Sequence, residues 1–310
     1  MQFFEGSEKK VEIVVRDEAI NLQKLDKSFW ENIVKKCNAT IISSIQNDSL
    51  SAYLLSESSL FVSKDRFVMI TCGETILVNS ILEFLKTYSP AQIDLAIFQR
   101  KNEYQANLQK TSFLEDIKNL SKLIDGQAFR MGDLDGHHNY IFHTLKPFTP
   151  PSDDYTNELL MYHITSEAAK ILQTPNNKID NIRELLQLNR LFPEFKFDDY
   201  IFSPYGYSLN AINQDRYLTI HITPQENNSY VSFETNLDLS QLSFNLLDHM
   251  VTTFNPKTFD HIGFNFNKIS FASEYFTLKK SEINLTCGYT MSFNHYSKEN
   301  DILSHPVKIL

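Results

Sequence analysis

The chain has 310 residues, of which 42% are hydrophobic and 13% aromatic, enough to bury a large core and too apolar for a disordered chain. Lys plus Arg is 29 and Asp plus Glu is 38, a net charge of −9, and no basic cluster reverses it, so nucleic acid is excluded as the main partner. No apolar run reaches the roughly 18 residues of a membrane span, and Glu5, Glu8, Lys9 and Lys10 interrupt any signal-like core at the start.

Cys37, Cys72 and Cys287 are odd in number and lack CxxC spacing, which argues against a disulfide framework or a zinc site and for a reducing compartment. A soluble, cytoplasmic protein is the expectation.

In chain order, residues 11–16 (VEIVVR) read as a strand. Ser28 and Glu31 form a capping-box pattern ahead of a helix over about 29–37. ATIISSI (39–45) is β-branched and strand-like. YLLSESSLFV (53–62) and RFVMITC then read as two strands of a hairpin joined by SKD. A helix over 75–88, a strand over 92–100, a capped helix from Ser112 to about 124, and strands near 127–131 and 139–146 complete the first half.

TPPSDD (149–154) is a linker, because two prolines cannot continue a strand. Helical periodicity is expected to about 174 and again over 179–191. YSLNAIN and RYLTIHIT flank a QD turn, SYVSFETNL is a strand, SQLSFNLLDHMVTTF a helix, and DHIGFNFN a strand. Hairpin, helix and strand thus recur in both halves, about 1–148 and 155–310. The pattern predicts an internal duplication in an antiparallel α+β fold, with helices outside the sheets.

Dinucleotide, P-loop, zincin and nucleophile-elbow signatures are absent from the sequence. His137 and His138, with Asp133 and Asp135, raise a metal site, but a Gly-rich polar turn is the commoner meaning of such a segment, and no metal is expected. The stretch that conflicts with its setting is SESS (56–59), three hydroxyls and an acid inside an apolar strand. Such conflicts tend to mark functional sites.

SESS (56–59), TCG (71–73), PYGYSLN (204–210), TIHITP (219–224) and SYVSFETN (229–236), with FFEGSEK (3–9), occur in order over most of the chain. Together they resemble the eukaryotic-type S-adenosylmethionine decarboxylases. The resemblance implies a four-layer αββα sandwich with two antiparallel sheets. It also implies self-cleavage between Glu57 and Ser58, which leaves a covalent pyruvoyl group at Ser58 and a two-chain protomer, alone or as a homodimer. Decarboxylating an amino acid builds a carbanion that no side chain delocalises, and a carbonyl cofactor supplies the electron sink.

By the same resemblance, His221 transfers protons in self-cleavage, Ser208 hydrogen-bonds the ester intermediate, and Cys72 returns a proton to the decarboxylated carbon. Glu5 and Glu8 match acids that support these steps. Phe4 and Phe202 match aromatics that sandwich adenine, and Leu55 and Glu57 border the ligand. Gln225 stands where the family has a ribose-binding acid, which removes a charge-assisted hydrogen bond.

Glu12, Asp154, Thr156, Glu158 and Glu234 match an acidic site for putrescine, a candidate small-molecule partner. Ile70 replaces a lysine of that site, and Lys10 falls where plant members carry an arginine in place of putrescine. Weak or absent putrescine activation is therefore expected. Two other readings fit less of the sequence. A non-catalytic regulatory paralogue would lose the serine or histidine that this chain keeps. A pyruvoyl decarboxylase for another amino acid is suggested by Gln225 alone.

Overall fold

A computed structural model describes residues 8–16, 20–101, 103, 106–164, 166–174, 177–203, 206–224, 229–265, 270–271 and 274–298. In the first half the strands are β1 (Lys9–Val15), β2 (Ile41–Gln46), β3 (Ser51–Leu55), β4 (Ser58–Val62), β5 (Arg66–Thr71), β6 (Ile93–Lys101), β7 (Gly126–Gly132) and β8 (His138–Thr144). Helices α1 (Lys27–Lys36), α2 (Val78–Thr87) and α3 (Phe113–Leu120) accompany them.

The second half holds β9 (Thr156–Ile164), β10 (Lys196–Ile201), β11 (Tyr207–Asn213), β12 (Arg216–Thr223), β13 (Tyr230–Thr235), β14 (Pro256–Phe264), β15 (Tyr275–Asn284) and β16 (Thr290–Lys298). Its helices are α4 (Glu167–Leu172), α5 (Ile179–Leu185), α6 (Leu188–Leu191) and α7 (Leu246–Phe254).

Two eight-stranded sheets result, in the orders β2-β3-β4-β5-β1-β6-β8-β7 and β10-β11-β12-β13-β9-β14-β16-β15. Each strand of the first sheet has its counterpart at the same place in the second, so the duplication expected from the sequence extends through the whole topology. The pairings are antiparallel throughout.

Burial shows the layering. On β1, Val11, Ile13 and Val15 join Trp30, Ile33, Ile81 and Phe84 in a core between the first sheet and its helices. An equivalent core joins β9, β11, β12 and β13 to α4, α5 and α7. Between the sheets lie two further apolar clusters, one with Val14, Leu95 and Ile141 against Leu160, Ile262 and Phe293, the other with Phe61, Val68 and Ile70 against Ile212 and Tyr217. The order is therefore helix, sheet, sheet, helix.

Several local expectations need correction. Residues 53–62 are not one strand. The chain turns at Ser56–Glu57, and Leu55 pairs directly with Ser58. The segment after the linker, expected helical to about 174, is helical only in α4 (Glu167–Leu172); its first part is the central strand β9, which is buried on both faces and so lacks the alternation that betrays a strand. Helix α1 begins at Lys27 with Asp26 at its N-cap and no side-chain cap, so the Ser28–Glu31 box is not used. The box at Ser112–Glu115 is formed. The helix expected over SQLSFNLLDHMVTTF is shorter, Leu246–Phe254, capped by Asn245. The edge strands β10 and β15, and β16 beside β15, had no counterpart among the expectations.

Candidate active site

The turn between β3 and β4 presents Glu57 and Ser58. Ser58 is buried, its backbone sits at φ 144°, and its Oγ has no hydrogen-bond partner among the described residues. A non-glycine residue held there is strained by roughly 1–3 kcal/mol. The adjoining Glu57 carbonyl accepts from the Cys72 backbone N–H at 2.9 Å and from Cys72 Sγ at 3.0 Å. These two donors come from the turn after β5, which pairs with β4 so that Ser58 lies opposite Thr71.

Burial raises the Glu57 carboxyl to about 7, against the pull of Lys9. Burial, then the charges of Glu57 and Glu8, push the Cys72 thiol well above its usual range, so it keeps its proton at neutral pH. Lys9, lowered to about 8 by burial and by Arg100, donates to the Gly73 carbonyl at 2.9 Å and to Gln109 Oε1 at 2.6 Å, fixing the turn that carries Cys72.

From the second sheet, β11 and β12 pair so that Ser208 stands opposite His221, and Ser208 Oγ lies 2.8 Å from His221 Nδ1. The ring's Nε2 lies 2.9 Å from Thr219 Oγ1 and 3.1 Å from Ser59 Oγ. The residue of SESS that touches His221 is thus Ser59, the neighbour of Ser58. Burial, with a smaller contribution from Lys101, lowers the His221 pKa to about 3 and keeps the ring neutral.

Asn210 and Thr219 are site residues that the sequence reading did not single out, and Ser59 entered it only as one of the three hydroxyls of SESS, with no role of its own. Strand alternation carries the signal: Thr219 and His221 share one face of β12, as Ser208 and Asn210 share one face of β11.

Glu8 is buried and pairs with Lys101 Nζ at 3.1 Å; Lys101 also reaches Glu158 at 2.8 Å. Lys10 Nζ bridges Glu158 at 3.0 Å and Glu234 at 2.8 Å. Arg66 contacts Glu12 at 3.0 Å and Asp154 at 2.6 Å, and the Tyr289 hydroxyl donates to Asp154 at 2.6 Å. The acids Glu12, Asp154, Glu158 and Glu234 therefore gather between the sheets with fixed cations among them. Burial opposes the Lys10 ammonium, but Glu158, Glu234 and Glu12 outweigh it and hold its pKa above the ordinary range. Thr156 and Glu12 line a cavity of about 470 Å³ that opens at the turns around Asp48, Asp65 and Asp215. Ile70 is buried opposite Lys10.

Leu55 is buried against the helix layer and Phe202 is half-buried, edge-on to Tyr200 at 4.9 Å. Phe4, Glu5 and Gln225 lie outside the described residues. His137 leaves the turn of its Asp neighbours and meets Asp260 at 3.0 Å, which also accepts from His295 at 2.7 Å and from the Tyr162 hydroxyl at 3.1 Å. The two imidazoles stack at 3.9 Å. The ligand atoms of His137, Asp260 and His295 lie within 4.8 Å of one another, a spacing that could hold a metal ion.

Fold and site together define a class: a duplicated two-sheet sandwich that collects its polar and charged residues between the sheets, around a strained serine. The chain belongs to the adenosylmethionine decarboxylase family, a family of carboxy-lyases, whose model matches residues 1–305. It is 33% identical to an S-adenosylmethionine decarboxylase proenzyme of Drosophila melanogaster, over 92% of this chain and 88% of that one. It is 33% identical to the proenzyme of Dictyostelium discoideum, over 83% and 73%. In fold it is similar to the solved Trypanosoma brucei AdoMetDC-delta26 monomer, with a TM-score of 0.60 at 24% identity, over 77% of this chain and 99% of that one. Among the described residues no helix is long and apolar enough to cross a membrane.

Proposed function

We propose that the chain is a proenzyme that cuts its own backbone between Glu57 and Ser58, acquires a pyruvoyl group at position 58, and decarboxylates S-adenosylmethionine in the cytoplasm. One observation carries this reading: the strained Ser58, with a buried and unpartnered hydroxyl, adjoins a carbonyl that already holds two hydrogen-bond donors from Cys72. Those donors draw electron density from the Glu57 carbonyl and would stabilise the oxyanion formed when Ser58 Oγ adds to it.

In this scheme the Glu57–Ser58 C–N bond breaks as the C–O bond forms, and the hydroxyl proton ends on the freed amine. Loss of the residue-58 Cα proton to His221 then breaks the Cβ–O bond and releases Glu57 as a carboxylate. Water replaces the nitrogen, which leaves as ammonia. The pyruvoyl carbonyl supplies an electron sink for a departing carboxylate.

The remaining roles belong to this chain's own side chains. Cys72, kept protonated by burial and by Glu57 and Glu8, is suited to deliver a proton to the product carbon. Phe202, with Phe4, is assigned to the adenine ring, where a nearby sulfonium gains from the aromatic faces. Leu55 and Glu57 border the substrate, Glu5 and Glu8 support proton transfer, and Gln225 takes the ribose. Lys10 and Arg66 occupy the acids assigned to putrescine, so weak or absent activation by the diamine is expected.

Intact mass under denaturing conditions tests the proposal. Chains of residues 1–57 and 58–310, the second blocked to N-terminal sequencing, are expected. A single uncut chain would mean a non-catalytic relative. Carbon dioxide released from a plain amino acid and not from S-adenosylmethionine would mean a shifted substrate.

A further inference from the structure

This inference rests on the reading of His221 as the base of self-cleavage and concerns which of its nitrogens is free to act. His221 is hydrogen-bonded on both sides, at Nδ1 by Ser208 and at Nε2 by Thr219 and Ser59. A neutral imidazole has one donor and one acceptor nitrogen, so the protons of the surrounding hydroxyls decide the tautomer.

Asn210 settles where those protons go. Its Oδ1 lies 2.5 Å from Ser59 Oγ and 3.1 Å from Thr219 Oγ1. The shorter distance suits O–H···O and is too short for N–H···O, so the amide turns its oxygen to the hydroxyls. Ser59 has a single proton, and it goes to Asn210. Thr219 Oγ1 has the Leu209 carbonyl at 3.0 Å and the same amide oxygen at 3.1 Å as acceptors for its proton, besides Nε2 itself at 2.9 Å. With that proton on either oxygen, both hydroxyls face Nε2 with lone pairs only.

We propose that Asn210 is a positioning residue that, by drawing in these hydroxyl protons, fixes His221 in the Nε2–H tautomer and leaves Nδ1 as the basic nitrogen, on the side of Ser208. A second observation argues that the residue is there for this purpose. Among the described residues Asn210 Nδ2 is buried without a partner, and Asn210 itself is fully buried. A buried amide nitrogen left without an acceptor destabilises a fold, so packing alone favours an apolar residue at this position.

Two measurements test this. In a Ser58→Ala chain, which cannot cut at that bond, ¹⁵N-histidine labelling and long-range ¹H–¹⁵N spectra read the tautomer directly. The Nε2–H form is expected for His221, and Asn210→Leu in the same background is expected to lose it. In the otherwise unmodified chain, Asn210→Leu should slow the appearance of the two fragments by at least about tenfold, a part of the roughly 100-fold that marks the low end for loss of an acid–base group. Asn210→Asp, which keeps an acceptor oxygen, should restore much of the rate. The thermal midpoint of the leucine variant should equal or exceed that of its parent, which separates control of the ring from simple unfolding. An Nδ1–H ring in the Ser58→Ala chain overturns the proposal, as does cleavage of Asn210→Leu within about twofold of the parent. If the unmodified chain stays whole, the self-cleavage reading falls, and the tautomer in the Ser58→Ala chain still decides for or against Asn210.

Discussion

Lys10→Met removes the cation at the centre of the inter-sheet network. Lys10 Nζ lies 3.0 Å from Glu158 and 2.8 Å from Glu234, and all three side chains are buried. At an effective dielectric of about 20, each contact carries roughly 6 kcal/mol of attraction. Against this stands a penalty of several kcal/mol for each dehydrated ion. The substitution deletes this attraction and leaves Glu234 buried without its lysine, while Lys101 at 2.8 Å still pairs Glu158, so a loss of about 3–5 kcal/mol is expected. For 310 residues the unfolding entropy is about 0.65 kcal/mol/K, which converts the loss to a fall of about 5–8 °C in thermal midpoint. Putrescine, a dication that can enter beside Glu12 and Asp154, should recover part of the fall in Lys10→Met and add nothing to the parent. Differential scanning fluorimetry with and without putrescine reads both effects. A midpoint within about 1 °C of the parent would refute the argument that Lys10 neutralises the cluster, as would an equal response of the two chains to the diamine.

Three further outcomes are expected. Of two uncut variants, Ser58→Gly should be more stable than Ser58→Ala by about 1 kcal/mol or more, because only glycine adopts φ 144° without strain; equal denaturant midpoints would remove the case for a strained turn. Asp260→Asn should destabilise at neutral pH. Burial alone would raise the Asp260 pKa, but hydrogen bonds from His137 and His295 more than offset it, so the folded value lies below the unfolded one. The stability this group contributes is therefore present above the unfolded value of about 4 and lost as pH falls through the folded value, and the gap between parent and variant should close over that range in urea titrations. Gln225→Glu should lower the Michaelis constant for S-adenosylmethionine by about 5–30-fold, the equivalent of 1–2 kcal/mol for a charge-assisted bond; an unchanged constant would count against a ribose contact there.

What the sequence made legible followed from periodicity and turn chemistry. β1, the hairpin of β11 and β12, and the Ser112 cap are each written in a local pattern. β9 was not, because a strand covered by helices on one face and a sheet on the other has no polar side, and its Glu, Leu and Met are good helix formers. The break at Ser56–Glu57 escaped for a related reason: flanking strands buried on both faces give no register by which to see a turn. The partnership of Ser208 with His221 was named through the resemblance. The contacts of Ser59, Asn210 and Thr219 are long-range across the sheets or the pairing, and no local pattern encodes a distance of some 150 residues in chain.

The duplication explains why charge can lie so deep in this fold. Equivalent strands of the two sheets face each other: β2 against β10, β3 against β11, and β7 against β15. Lys10 of β1 meets Glu158 of its counterpart β9, and Ser59 of β4 meets His221 of its counterpart β12. In a dimer of identical subunits such an isologous contact sets each residue near the two-fold axis against its own copy, and a lysine there would face a lysine. Two halves in one chain are free of that constraint. One half can supply a cation where the other supplies a carboxylate, and one can carry a strained serine where the other carries the histidine beside it. Burial then sharpens each difference, lowering the His221 pKa while the surrounding acids hold Lys10 charged. The same symmetry that builds the sandwich thus places complementary chemistry on opposing strands, where water cannot compete for it.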